Sequence, residues 1–306
     1  MSHVEPNMPV NTVGNSPYIQ GELSKLAERY GLRRAAARPS LPTYLRQMWE
    51  RRHFITTYAT ARNVSTYSGS ALGRLWQVLT PLFNAAIYYV MFGIILGGKG
   101  DIHNYPAFLI VGMFIFSYTQ RSITSGAKSI SGNLALIRAL HFPRAALPLA
   151  YTIQELQQLA ISMGVLVAIV LITQEPITLL WLLIPVILIM QTMFNIGASL
   201  FMARIGSTSR DVNQMLPFVM RTWLYASGVF FSIQEKVVED ANLPQWVADL
   251  MYLNPVASYI EFMRNILIES HNPPHWIWIS CTFWAIFSLV LGFWYFWRAE
   301  EKYGRG

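Results

Sequence analysis

Charge is scarce in this sequence. Only 13% of its 306 residues are Asp, Glu, Lys or Arg, against about a quarter in an ordinary soluble domain, and long apolar runs take up the difference. Cysteine is almost missing. Cys281 stands alone inside an apolar run, which excludes an intrachain disulfide and a cysteine-based metal site. A nucleotide site is missing too, although Gly93, Gly98 and Lys99 fall in the spacing G-x-x-x-x-G-K. A P-loop needs a lead-in strand, a following helix and a Ser or Thr for Mg2+. Here position 100 is Gly, the lead-in is the long uncharged run LWQVLTPLFNAAIYYVMFGIIL, and Asp101, His103, Asn104 and Pro106 read as a turn. No cleavable leader is expected, because the chain before Leu75 is polar, basic or amphipathic.

What is present is apolar sequence in lengths that fit a bilayer, whose core of about 30 Å takes about 20 helical residues. Backbone groups in lipid must be satisfied internally, so these runs predict helices. Six spans are expected: Leu75 to Leu96, Tyr105 to Ala127, Leu147 to Thr173, Ile177 to Ala203, Met215 to Ile233 and Trp276 to Trp297. Lys and Arg set the orientation, being in excess on cytoplasmic loops. Arg33, Arg34, Arg46, Arg51, Arg62 and Arg74 precede the first span. Lys128, Arg138, Arg144, Arg204, Arg210, Arg298 and Lys302 continue the basic side. The other side is rich in acids, among them Asp101, Glu175, Glu235, Asp249 and Glu269. The pattern predicts a multi-pass protein of the cytoplasmic membrane with both termini inside. The cytoplasmic loops between spans carry one acid, Asp211, and no acidic pair or His cluster with metal-ligand spacing; Pro273 and Pro274 break the helical spacing of His271 and His275. That argues against a membrane-embedded polyprenyl-phosphate transferase, which gathers acids around a metal. No internal repeat suggests a secondary transporter.

Three regions are expected: residues 1–40 as a cytoplasmic tail, 41–74 as an interfacial amphipathic segment, and 75–300 as the membrane domain. In the second, Leu41, Tyr44, Leu45, Met48, Trp49, Ile55, Tyr58 and Ala59 recur at helical spacing, with Arg46, Glu50 and Arg51 between them. Such a helix lies in the interface with its apolar face at the acyl boundary. The second connection, GAKSISGNLALIRALHFPRAALP, places Leu134, Leu136, Ile137, Leu140 and Phe142 on the cytoplasmic side, where water would meet them. Pro143 ends any helix there. Two readings stand: a short helix seated in a partner's groove, or one packed under the chain's own bundle.

The order of segments YSGSALGRLWQVLTPL (67–82), NLALIRALHFPRAALPLA (133–150), RDVNQMLPFVM (210–220) and YLNPVASYIEFMRNIL (252–267) resembles the permease subunit of ATP-binding-cassette polysaccharide exporters. These are the O-antigen and capsule type, Wzm-like, within the type 2 ABC exporters. The resemblance covers residues 41 to about 300. It implies an all-α integral membrane protein of six transmembrane helices, working as a homodimer without an ATPase site of its own. It also implies short re-entrant helices between spans five and six, within 240–270, where Glu261 and Arg264 would sit; on spacing alone these two are an ordinary surface pair. Two copies of a separate cytoplasmic subunit would bind ATP and Mg2+. That subunit's groove would receive a coupling helix whose contacts fall on Asn133, Leu136, Arg138, His141, Phe142, Pro143 and Arg144. The implied cargo is a long glycan on a polyprenyl-pyrophosphate lipid, of O-antigen, capsule or galactan type; the Arg-rich tail suggests a galactan of the cell wall. No nucleic acid partner is expected.

Aromatic residues make up 14% of the chain, and rings with polar tips suit a wet path for sugars. Tyr88, Phe92, Phe116, Tyr118, Trp223, Tyr225 and Phe230 lie in the spans that line the path in that family. Arg121, Glu155 and Arg221 are charges inside or at the edge of spans, a functional signal by default. Arg suits a pyrophosphate head group; for Arg121 the competing reading is a structural pair with Glu155. A permease of the same fold that carries a drug or a small lipid remains the rival, since fold does not fix cargo.

Overall fold

The computed structural model describes residues 39–303 apart from 70, 71, 96–101, 103, 141 and 270, and apart from the side chains of Arg74, Ala85, Phe92, Arg210, Glu239, Asp240 and Lys302. Gly98 and Lys99, with the P-loop-like pattern, fall outside the described residues. Helices account for all regular structure among the described residues: α1 (Leu41–Glu50), α2 (Arg52–Tyr67), α3 (Trp76–Tyr88, prolonged by π-type turns over Tyr89–Ile95), α4 (Tyr105–Lys128), α5 (Leu134–Ala139), α6 (Ala146–Ile172), α7 (Ile184–Thr208), α8 (Arg210–Ala226), α9 (Gln245–Tyr252), α10 (Pro255–Leu267) and α11 (Ile277–Trp297).

Among the described residues four helices are long and apolar enough to cross a membrane: Trp76–Ile95, Ala146–Ile172, Leu179–Thr208 and Ile277–Trp297. The expected second span exists as α4 but is not one of the four. Its second half carries Thr119, Gln120, Arg121, Ser122, Thr124 and Ser125, and its first half is buried among the other helices at Phe108, Leu109, Val111 and Ile115. The expected fifth span is displaced. Helix α8 starts at Arg210 and stops at Ala226, well short of Ile233. The chain turns at Gly228, whose φ of 63° glycine adopts without a side-chain clash. Ser227 Oγ donates back to the Trp223 carbonyl at 2.7 Å, and Asn254 Nδ2 donates to Ser227 Oγ at 3.1 Å.

Capping explains where two of the helices begin. Asn104 caps α4 by accepting from Ala107 N–H at 3.3 Å, and Asn254 caps α10 by accepting from Val256 N–H at 3.2 Å. In both, proline occupies the first helical turn, where its missing N–H costs nothing. Pro185 likewise sits in the first turn of α7. Helices α7 and α11 cross at Gly197 and Gly292, where a Cβ on either would strike the facing backbone. Small residues allow this approach, and close backbone packing is what holds helices together in lipid.

The predicted interfacial segment is corrected in two respects. It is two helices broken at Arg51, not one. Tyr44, Met48, Ile55 and Ala59, expected at the acyl boundary, are buried against the chain's own bundle, beside Ala146, Leu147, Leu200 and Phe296. Leu45 and Trp49 remain the outward apolar groups. Chain connectivity then separates two ends. Tyr44, Arg144 and Glu300 meet at the basic end. Asn104, Glu175 and Glu269 meet at the opposite one, where Asn104 Nδ2 donates to Glu175 Oε1 at 2.8 Å and Glu269 N–H donates to Glu175 Oε2 at 3.2 Å.

Candidate functional site

At the basic end the segment after α4 is built into the bundle. Asn133 Nδ2 donates to the Ser129 carbonyl at 2.7 Å and to Tyr151 Oη at 2.9 Å, while its Oδ1 accepts from the Tyr58 hydroxyl at 2.9 Å. One side chain thus joins α2, the end of α4 and α6. Ile137 is buried, and Leu136 and Phe142 pack half-buried beside it. The Phe142 ring lies 5.3 Å from that of Phe54. Of the apolar residues expected to meet water, these three pack under the chain's own bundle. Leu140 is 50% exposed and, with exposed Ala135, Arg138 and Ala139, forms the outward ridge. His141 falls outside the described residues.

Beyond Pro143, which is buried, the chain is clasped. Arg144 N–H donates to Glu300 Oε1 at 3.0 Å and the Arg144 guanidinium donates to the Glu300 carbonyl. Glu300 Oε2 accepts from the Tyr44 hydroxyl at 2.8 Å, and Tyr44 Oη accepts from Ala145 N–H at 3.1 Å. Burial raises the Glu300 carboxyl above the usual range, and the hydrogen bonds from Arg144 and Tyr44 pull it back. Tyr44 is raised as well, first by burial and then by the nearby Glu300 charge. Three stretches far apart in sequence therefore share one carboxylate: the first helix, the loop after α5 and the tail after α11. Sequence reasoning missed Glu300. One of two adjacent acids in a charged tail carries no periodic signal, although Tyr44 did stand in the helical pattern.

Among the predicted path residues the structure brings three together. The Tyr88 and Tyr225 rings lie 5.2 and 5.5 Å from that of Phe230. Phe116 and Tyr118 are buried in the core, the Tyr118 hydroxyl 3.0 Å from Thr192 Oγ1. Trp223 anchors α8 to α10 by donating from Nε1 to Asn254 Oδ1 at 2.8 Å. The Phe92 side chain is outside what is described. Arg221 is exposed on α8, on the same outward surface as Phe218 and Tyr225. Arg121 and Glu155 line one small cavity between α3, α4 and α6, shared with Asn84, Ser117 and Gln158 and with apolar Met113, Phe114 and Leu159, and Ser125 Oγ donates to Glu155 Oε1 at 3.3 Å.

The surface-pair reading of Glu261 and Arg264 is overturned. Both are fully buried, 2.8 Å apart. Arg264 donates from Nη1 to the Gly228 carbonyl at 2.9 Å, from Nη2 to the Val229 carbonyl at 2.8 Å and from Nε to the Phe108 carbonyl at 3.2 Å. Glu261 Oε2 lies 2.5 Å from His271 Nε2. The spacing of three put the two charges on one helical face, but only the fold put that face inside. No group of acids, His and Cys that could hold a metal occurs among the described residues.

Residues 55–268 match the family model described as ABC-2 type transporter. The chain is 24% identical over 229 residues to the O-antigen export system permease protein RfbA of Myxococcus xanthus, covering 75% of this chain and 85% of that protein. It is 27% identical over 204 residues to the protein of the same name from Klebsiella pneumoniae, covering 66% and 75%. It is 21% identical over 244 residues to the inner membrane transport permease YadH of Escherichia coli K12, covering 76% and 91%. The family match runs from the buried face of α2 to the end of the Arg264 helix, and on it this chain belongs to the ABC-2 type transporter family.

Proposed function

We propose that this chain is the membrane subunit of an ATP-driven exporter that moves a polyprenyl-pyrophosphate-linked polysaccharide, of O-antigen, capsule or galactan type, across the cytoplasmic membrane. Two copies form the path and two separate ATPase subunits drive it, binding ATP and Mg2+. Helices α4 and α8 complete six spans, α9 and α10 are the re-entrant pair, and both termini lie in the cytosol. The observation that carries the reading is similarity, over two thirds or more of the chain, to two permeases named for O-antigen export. Depleting the chain in its own cell tests it: lipid-linked glycan should accumulate on the cytosolic side. Normal glycan export with loss of a drug or small lipid from the medium would establish the rival.

The coupling surface in this reading is the ridge of Arg138, Ala139 and Leu140, steadied from behind by the Glu300 clasp. Leu140 is the residue to probe, since Phe142 also supports Phe54. Leu140→Asp is expected to leave the melting temperature in place and to weaken co-purification of the ATPase roughly thirtyfold, the cost of a charge at an interface hot spot of about 2 kcal/mol. Undiminished co-purification and export would remove the ridge from the coupling role.

Arg221 is the candidate for the head group. It stands exposed on α8, and a guanidinium binds phosphate oxygens in a fork. Arg221→Ala should abolish the stimulation of ATPase by lipid-linked substrate while the basal rate persists. Stimulation and export equal to those of the parent would end that assignment.

A further inference from the structure

At the end opposite the basic loops lies a cavity of about 500 Å3 that none of the path residues lines. Its walls come from the end of α9, from α10, from the loop 272–275, from the first turn of α11 and from Gln234. That volume falls within the roughly 300–1,000 Å3 usual for small-ligand sites. Its lining has an unusual chemistry for a lipid-exposed protein. Asn265, Asn272, Gln234 and His275 supply amide and imidazole groups, Trp278, Phe262 and Tyr252 supply rings, and among the described residues no carboxylate, Lys or Arg lines it.

These groups are held in place before any ligand arrives. Asn265 Nδ2 donates to the His271 carbonyl at 2.9 Å, which fixes the amide plane. His271 is held in turn by buried Glu261. Gln234 exchanges hydrogen bonds with Gln245 at 3.1 and 3.2 Å. Trp278 packs on Phe262 with ring centroids 3.9 Å apart. Pro273 and Pro274 stiffen the loop between. At the mouth Asn272 and His275 are exposed. Preorganisation of this kind lowers the entropy lost on binding.

A ligand that suits such a lining is neutral, offers several hydroxyls to amides and an apolar C–H face to a ring. An anion would ask for a cation that the lining lacks, and an acyl chain would strand the amides without partners, which is costly. We propose that this cavity is a sugar-binding subsite that holds a neutral ring of the glycan as the polymer emerges, with Trp278 as the platform and Asn272 and His275 as the hydroxyl partners. The identity of the ligand as emerging cargo rests on the function proposed above; the sugar-binding chemistry rests on the cavity alone.

Saturation-transfer NMR tests it on the full chain purified with its ATPase subunit. The probes are the methyl glycosides of galactose, mannose and rhamnose, with inorganic pyrophosphate as a charged competitor. At least one glycoside should receive saturation at its ring C–H protons, undisturbed by pyrophosphate. The Asn272→Ala/His275→Ala double variant should weaken that binding at least about fivefold, the worth of one hydrogen bond, at an unchanged melting temperature. Trp278→Phe, which keeps a ring, should weaken it less than Trp278→Ala. Absence of transfer to all three glycosides, transfer unchanged in the double variant, or displacement by pyrophosphate would each overturn the assignment. The depletion assay scores the cargo and the NMR experiment scores the cavity, so either can fail while the other stands.

Discussion

Arg264→Met is expected to lower the stability of the membrane domain by about 3–5 kcal/mol, the penalty for breaking a fully buried ion pair from one side. The loss is larger than the pair alone suggests. Arg264 also satisfies the carbonyls of Gly228, Val229 and Phe108, and a buried carbonyl left without a donor costs about 1–3 kcal/mol. The first two belong to the turn that ends α8, so the turn carrying Phe230 should loosen with it. Tryptophan fluorescence melting and size-exclusion chromatography in detergent measure the effect. Arg264→Lys should fall between, because one ammonium cannot reach four acceptors in the geometry of a planar fork. Glu261→Gln combined with Arg264→Met should recover part of the loss by removing the stranded charge. A melting temperature unchanged in Arg264→Met would show that the buried pair does not organise this end of the bundle.

The second large effect is steric. Gly197→Leu is expected to prevent the α7–α11 crossing and to cost about 3 kcal/mol or more, the upper range for overpacking a close contact. A Cβ at Gly197 lands on the Ser288 carbonyl and on Leu289 N, and a Cβ at Gly292 lands on the Gly197 carbonyl. These neighbours are backbone, so no side chain can swing aside and the helices themselves must separate. Gly197→Ala should show the same sign at smaller size. The crossing carries Phe293 and Phe296 toward Tyr44, so separation should also release the first helix from the bundle. Limited proteolysis after Arg51 or Arg52 reads that release. A Gly197→Leu chain that melts like the parent and resists cleavage would place the helices further apart than the structure does.

How much of this was legible beforehand differs between elements. The apolar helices α3, α6, α7 and α11 were legible because a bilayer leaves a backbone no other choice over such lengths. The family was legible from the order of four short segments. The end of α8 was not: a hydropathy pattern continues through Phe230 and Phe231, whereas the helix stops at Ala226 and the chain turns at Gly228, where the carbonyls are bound by an arginine on a helix that follows much later. The burial of this face of the first two helices was not legible for a related reason. Periodicity shows that Tyr44, Met48, Ile55 and Ala59 share a face, and is silent on whether lipid or protein covers it.

The sequence by itself determined that this protein is helical, apolar in long stretches, sparing in charge and cysteine, and ordered like an ABC-2 permease. Those properties depend on composition and on short-range spacing, which act along the chain. Only the tertiary structure decided that Glu261 and Arg264 are interior, that Glu300 joins the first helix to the loop after α5, and that a cavity lined by amides and rings opens beside α10. Each of these joins residues distant in the chain, and the free energy of a buried charge or a shared carboxylate exists only once such residues meet and water leaves.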